Sequence, residues 1–432
     1  MSESIEDNLT VLRFSLAYKT GGGTELYIDD LDKSLLKLYS MTIIRINIVK
    51  SDNGKISEKK MEIGKGTLIE LTLPTIVKSK KMSKISKYIF IKELFNKVKK
   101  IIINYIVYNP VVYKKITCKI IPDLYLKKET IKIERFTEIL DNLFAKYKIK
   151  LVVFHNIGTS DSLLLLKETE KRKIPTIYVH HYNNSAFNDI PIREQIKYIK
   201  TVSGVSSINV PKRITKRYTN LSDGIDTDFY KPLYKLPNDD NKNTLPIVFL
   251  PSRITEVKGQ KDLIDVQIKL KNAGLKNKLV IAGRIDSVEY MQFLIKYVKD
   301  NNLNEDVLFL DSLDKYQMKE WYSRSSVVAF PTYHQEGLGR ILLEAQSMEV
   351  PVVSYIIGGT SEAISDKKTG FLVKKGDLLS LANKIYLLLT NCTIRRNMGI
   401  EGRKFVIEKF SLNAFALRHM QLYTSTLNNK DE

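Results

Sequence analysis

Pro331-Thr-Tyr-His-Gln-Glu336-Gly-Leu-Gly-Arg340-Ile-Leu-Leu-Glu344 follows a short apolar run, Val327-Val-Ala-Phe330, and leads into apolar positions Leu338, Ile341, Leu342, Ala345 and Met348 at helical spacing. The apolar run predicts a buried strand, so the stretch reads as strand, glycine-bearing loop and helix. Such a turn faces ligands. Gly337 and Gly339 let the main chain pass close to a bound group, and the free N–H groups of a first helical turn attract anions. Glu336 stands in the turn and Glu344 about two turns further on. Acids near a helix start are also favourable without any ligand, through the helix dipole. The rest of the chain has to decide between the two readings.

Around this turn the second half is an α/β array. Ile247-Val-Phe-Leu250, Leu279-Val-Ile-Ala282, Val307-Leu-Phe-Leu310, Val327-Val-Ala-Phe330, Val352-Val-Ser-Tyr355 and Phe371-Leu-Val373 alternate with helical segments, which predicts a parallel doubly wound sheet. Its first strand runs into Pro251-Ser252-Arg253-Ile-Thr-Glu-Val-Lys258-Gly259. Two cations straddling a strand-to-helix turn suit a diphosphate, Arg through a two-pronged grip and Lys as a compact charge. In a chain this rich in Lys, two solvated surface cations are the alternative.

The first half starts in the same rhythm. Leu9-Thr-Val-Leu-Arg-Phe-Ser-Leu16 reads as an alternating strand, Gly21-Gly22-Gly23 as a turn, and Leu26, Ile28, Leu31, Leu35 and Leu36 as one helix face. The glycine turn matches neither a dinucleotide fingerprint nor a P-loop, and a plain flexible turn is an equal reading. Strands follow at Thr42–Val49 and Thr67–Leu73. Lys150–His155 and Pro175–His181 are strands around a helix at Ser160–Arg172, which places His155, His180 and His181 at a ligand edge. They lack companions at metal-ligand spacing. Asn220-Leu-Ser-Asp223-Gly224-Ile-Asp226 signals a turn, and a helix is expected around Lys212 to Tyr218.

Length and composition bound these readings. A chain of 432 residues favours two domains, and 43% hydrophobic with 27% charged residues is a globular composition. The acidic start, the lack of a 20-residue apolar run and two isolated cysteines, Cys118 and Cys392, fit a cytoplasmic protein without disulfides or structural zinc. Net charge is +21, and residues 78–128 hold 14 Lys against Glu93 and Asp123, giving +12 of it. Periodic apolar positions from Ile85 to Tyr105 make this section an amphipathic helix that packs on its own domain or lies on an anionic membrane face. A basic nucleic-acid-binding protein has only charge in its favour, since no zinc finger or RNP-like aromatic motif is present.

Glu-x7-Glu after Pro-Thr-Tyr, followed by Gly358-Gly359-Thr-Ser-Glu362, resembles the donor site of the family four retaining glycosyltransferases (glycosyl transferases group 1). Arg253-x4-Lys258-Gly259 resembles that family's phosphate motif, with Ser252 where Gly is common, and Asp223-Gly224-Ile-Asp226 its hinge, with Asp223 in place of Asn. The resemblance implies an α/β chain of GT-B fold, two Rossmann-like doubly wound domains facing each other across a cleft. Residues 1–232 would form the acceptor-side domain, with its basic helical section at 78–128. Residues 233–245 would be a linker, 246–405 the nucleotide-sugar domain, and 406–432 a terminal helix crossing back.

It implies a retaining, metal-independent hexosyltransferase with no cofactor, moving a sugar from a UDP- or GDP-linked donor to a hydroxyl of a glycan or lipid-linked acceptor in surface polysaccharide or glycoconjugate synthesis. A nucleotide-sugar epimerase of the same fold is the alternative, and no nucleic-acid partner is expected. Glu336, His181, Arg253 and Lys258 would be the catalytic residues. Gly22, Gly23, Arg253, Lys258, Glu336, Gly337, Leu338, Gly339, Glu344, Gly358 and Gly359 would line the donor. Within that set, His181 would face the donor sugar in preference to His180, Glu344 would hold the ribose, Glu336 would meet the sugar, and Arg253 and Lys258 would neutralise the departing phosphate.

Overall fold

A computed structural model of the chain describes residues 9–15, 23–49, 57–74, 130–155, 157, 160–181, 190–208, 210–233 and 245–428. The basic section 78–128, Gly22 and most of the expected linker lie outside the described residues.

The first sheet contains β1 (Leu9–Ser15), β2 (Met41–Val49), β3 (Ser57–Ile63), β4 (Gly66–Pro74), β5 (Leu151–Phe154), β6 (Thr176–His180), β7 (Thr201–Gly204) and β8 (Tyr218–Asn220), in the order β3-β4-β2-β1-β5-β6-β7-β8. Helices α1 (Gly23–Leu38), α2 (Thr130–Tyr147), α3 (Ser160–Lys171), α4 (Ile190–Gln195) and α5 (Lys212–Thr215) accompany it. Every pairing is parallel except β3 with β4. That antiparallel edge strand has no counterpart in the sequence reading, because Ser57-Glu-Lys-Lys-Met-Glu-Ile is mostly charged, as suits an edge facing water. The helix expected up to Tyr218 ends at Thr215, and Tyr218 begins β8.

The second sheet is wholly parallel. It contains β9 (Ile247–Pro251), β10 (Lys278–Ala282), β11 (Val307–Leu310), β12 (Val327–Phe330), β13 (Val352–Tyr355) and β14 (Gly370–Val373), in the order β11-β10-β9-β12-β13-β14. Its helices are α6 (Gln260–Asn272), α7 (Val288–Asp300), α8 (Lys315–Arg324), α9 (Arg340–Ser347), α10 (Thr360–Ala363), α11 (Leu378–Thr390), α12 (Cys392–Phe410) and α13 (Leu412–Asn428). The expected strands of this half are found within a residue of their expected ends. The apolar runs of β12 and β13 are buried throughout, as strands covered on both faces require, whereas the edge strand β11 exposes Leu308.

Three cores result. One fills the second domain around β9, β12 and β13. The other two lie on opposite faces of the first sheet, and the face toward α1 is completed by Phe415, Ala416, Met420 and Tyr423 of α13. Helices α12 and α13 meet at the extended Ser411, whose hydroxyl accepts from Ala414 N at 3.3 Å. The chain's last helix therefore belongs to the core of its first domain.

β1 does not alternate. It lies between β2 and β5, so both of its faces are buried: Leu9, Val11, Leu12, Phe14 and also Arg13 have no exposure. Among the described residues no helix is long and apolar enough to cross a membrane.

Candidate functional site

In each sheet the chain winds to one side from a central strand and then returns to the strand beside it. β1 and β5 flank this reversal in the first sheet, β9 and β12 in the second. Ligand crevices of α/β folds form beyond the carboxyl ends of such strands. The loops leaving β5, β9 and β12 carry His155, Lys258 and Glu336.

On the second domain, the loop after β9 makes a single helical turn at Glu256–Lys258 and is tied to the loop after β12. Tyr333 N donates to Val257 O at 2.8 Å, and Thr332 Oγ1 donates to the same carbonyl at 3.2 Å. The approach is so close that a Cβ on Gly259, which has φ +76°, would lie 2.1 Å from Pro331 O. This zipper presents the buried Lys258 to Glu336, with Nζ 2.5 Å from Oε1. Thr332 Oγ1 at 3.4 Å and His334 Nδ1 at 3.4 Å complete the surroundings of that carboxylate oxygen.

The Gly358-Gly359 turn packs on the same loop. Gly359 N donates to Glu336 O at 3.0 Å, and a Cβ on Gly359 would fall 1.7 Å from Gly337 O. Gly339, at φ +86°, starts α9. Leu338 turns its side chain into the core, which leaves its main chain alone to meet a ligand.

Arg253 stands at the same edge but apart from this pair. Its Nη1 donates to Asp286 Oδ2 at 2.6 Å, Asp286 also accepts from Arg284 Nε at 2.8 Å, and the Arg253 side chain is 52% exposed. Glu344 is buried on α9. It accepts from Tyr322 Oη at 2.9 Å and lies 3.9 Å from Arg340 Nε, while burial pushes its carboxyl above the usual range against the pull of Arg340. The structure thus joins Lys258 to Glu336, and gives Arg253 and Glu344 separate partners.

On the first domain, His155 and His181 follow β5 and β6. Their rings stack with centroids 5.1 Å apart, and His155 Nδ1 is 2.9 Å from His181 Nε2. Burial depresses both imidazoles, His181 to about 3, so both are neutral near pH 7. His180 points to the other face of β6, where its ring is bonded to Tyr178 Oη at 2.7 Å. The His181 main chain approaches the second domain: its carbonyl oxygen is 3.5 Å from where a Cβ of Gly337 would stand. Gly23 is the first residue of α1, and Gly22 lies outside the described residues.

Arg340 and Glu362 join the domains beside this crevice. Arg340 Nη1 donates to Asp223 Oδ1 at 2.9 Å and to Gly224 O at 3.1 Å, and Nη2 donates to Asp30 Oδ2 at 3.2 Å. Glu362 accepts from Ser207 N at 2.9 Å and from Asn220 Nδ2 at 3.1 Å. The sequence reading gives Arg340 and Asp30 no role. The available signal was Asp223 itself, an acid at the hinge position where Asn is usual, which called for a cation. Nothing in the sequence marks Asp30, Ser207 or Asn220.

Residues 235–405 match the family described as Glycosyl transferases group 1. The second domain is a glycosyl transferases group 1 domain. The matched residues include every second-domain site residue of this chain. It is 29% identical over 238 residues to a capsular polysaccharide biosynthesis glycosyltransferase of Staphylococcus aureus, covering 51% of this chain and 57% of the relative. It is 26% identical over 213 residues to a GDP-mannose-dependent alpha-(1-6)-phosphatidylinositol monomannoside mannosyltransferase of Mycolicibacterium smegmatis, covering 47% of this chain and 55% of the relative.

The chain therefore spans a little over half the length of these curated relatives. A glycosyltransferase from Rickettsia africae superposes with TM-score 0.66 over 98% of this chain and 99% of its own, at 18% identity. The fold is GT-B, with two Rossmann-like domains, as the sequence led us to expect.

Proposed function

We propose that the protein transfers a sugar, with retention and without a metal ion, from a nucleotide-diphosphate donor to a hydroxyl of a glycan or lipid-linked acceptor in surface polysaccharide or glycoconjugate synthesis. One observation carries the reading: within the family domain, the Lys258 ammonium and the Glu336 carboxylate meet at the carboxyl ends of β9 and β12, opposite His181 of the other domain. A largely desolvated ammonium stabilises charge that develops on a leaving diphosphate, and main-chain N–H groups from Gly337 to Gly339 assist. Arg253 reaches the same anion once it exchanges Asp286 for phosphate oxygens. Glu336 accepts from sugar hydroxyls, and Glu344 holds the ribose after exchanging its bond from Tyr322.

Thermal shift with a panel of UDP-, GDP- and ADP-sugars tests donor binding. A stabilising donor whose effect is lost in Lys258→Met supports the reading, whereas no response to any donor overturns it. Proton NMR of the product then reads the anomeric configuration, and an inverted product or turnover abolished by EDTA corrects the mechanism. The lipid-linked acceptor rests on the charge of residues 78–128. Flotation with anionic liposomes at low salt is its test, and absence of binding removes the support.

A further inference from the structure

We propose that Arg13 and His155 are positioning residues that fix His181 as the tautomer carrying its proton on Nδ1, and that α13 holds them in place. This rests on the transferase reading only for the use to which His181 is put. The tautomer follows from hydrogen-bond bookkeeping. Arg13 Nη1 lies 3.0 Å from His155 Nε2, and a guanidinium can only donate. His155 Nε2 is therefore the acceptor, and a neutral His155 carries its proton on Nδ1. That Nδ1 lies 2.9 Å from His181 Nε2, so it donates and His181 Nε2 accepts. His181 keeps its own proton on Nδ1, the nitrogen that is left to act as a donor.

The support behind the pair is built into the fold. Arg13 is wholly buried in the central strand, ion-paired with Asp32 of α1, and it donates Nη2–H to Tyr423 Oη of α13 at 2.8 Å. Asp32 Oδ2 also takes Arg45 Nη2 at 2.7 Å. The Tyr27 ring meets His181 edge to face, with centroids 4.5 Å apart. Tyr27 is itself anchored on α13: His419 Nδ1 is 3.0 Å from Phe415 O and must donate there, so His419 Nε2 accepts the Tyr27 hydroxyl proton at 2.8 Å. Both contacts that orient His181, one polar and one aromatic, thus trace back to Tyr423 and His419 on the last helix. A histidine has two ring nitrogens, and the bond made by one decides what the other offers.

The test is a long-range proton–nitrogen correlation spectrum of the full chain labelled with 15N-histidine, with the His181 signals assigned by their loss in His181→Gln. The wild type is expected to show His181 protonated on Nδ1. His155→Phe and Arg13→Met are expected to shift His181 toward the Nε2-protonated form. His155→Asn, which keeps an N–H near the position of Nδ1, is expected to retain the wild-type form. In turnover, His155→Phe is expected to lower kcat on the order of 10-fold to 100-fold, with donor KM within about threefold, and His155→Asn to recover most of the loss.

Arg13→Met leaves Asp32 with one cation instead of two, so the two His155 variants decide the matter if Arg13→Met does not fold. A wild-type His181 protonated on Nε2, or His155→Phe turning over at the wild-type rate, overturns the proposal. If the wild type transfers no sugar yet shows the Nδ1 tautomer and its loss in His155→Phe, the transferase reading fails and the positioning stands.

Discussion

Arg340 Nη1 donates to Asp223 Oδ1 at 2.9 Å across the domain boundary, from a helix that begins one residue after the αL glycine of the ligand-facing turn. Asp30 of α1 shares the guanidinium, so one cation holds two carboxylates of the first domain.

Removing that cation leaves both acids poorly hydrated and facing each other. Arg340→Met is therefore expected to cost about 3–5 kcal/mol in urea unfolding, the range for stripping one partner from a buried ion pair. Asp223→Asn keeps an oxygen acceptor, and its cost is expected near 1–2 kcal/mol. Equal losses in the two variants would show that Asp223 contributes as a charge and not as an acceptor.

The different surroundings of Lys258 and Arg253 set up a contrast in turnover. Lys258 is buried against Glu336 and its charge is little screened, so Lys258→Met is expected to lower kcat/KM on the order of 100-fold to 1,000-fold. Arg253 is half-exposed and held by Asp286, so Arg253→Ala is expected to act mainly by raising donor KM, by about tenfold. Steady-state kinetics of both variants with one donor checks this, and reversed magnitudes would place the phosphate nearer Arg253.

The second domain was legible because its strands are short, apolar and alternate with helical segments, and because its loops needed glycine for contacts as close as that of Gly359 with Gly337 O. The first domain was less so. A charged edge strand carries no apolar signal, and Arg13 within β1 was read as part of an alternating strand, although a parallel strand buried on both faces forces any arginine it contains to find a carboxylate. The long-range partners, Tyr423 for Arg13 and Asp30 for Arg340, are more than 300 residues away in sequence and have no local pattern to announce them.

Stability is expected to fall on acidification from a pH higher than carboxylates alone would give. His155, His181 and His419 are all depressed by burial, His181 from the ordinary 6.5 to about 3. Below about pH 6.5 the unfolded chain takes up these protons and the folded chain does not, so their contribution is intact above that pH and is lost as pH falls. Each adds up to about 1.4 kcal/mol per pH unit. Urea midpoints at pH 7.5, 6 and 5 measure the slope, and His181→Gln is expected to flatten it. A midpoint unchanged down to pH 5 would show that the imidazoles charge freely in the fold.

Gly259 and Gly274 separate backbone strain from close approach. Both have left-handed φ, +76° and +77°, so replacing either with Ala incurs a similar conformational cost of about 1 kcal/mol. A Cβ at Gly274 meets nothing within 4 Å, whereas one at Gly259 falls 2.1 Å from Pro331 O. Main chain cannot rotate out of the way as a side chain can, so in Gly259→Ala the loops after β9 and β12 have to part. Lys258, the preceding residue, moves with its loop and leaves Glu336. Gly274→Ala is accordingly expected to lose about 1 kcal/mol of stability at unchanged turnover. Gly259→Ala is expected to lose more and to lower kcat/KM by at least about tenfold, because a displacement near 1 Å is enough to spoil a positioned charge. Urea unfolding and steady-state kinetics on the two variants give the comparison, and turnover preserved in Gly259→Ala would mean that the Lys258–Glu336 pair does not depend on the contact between the loops.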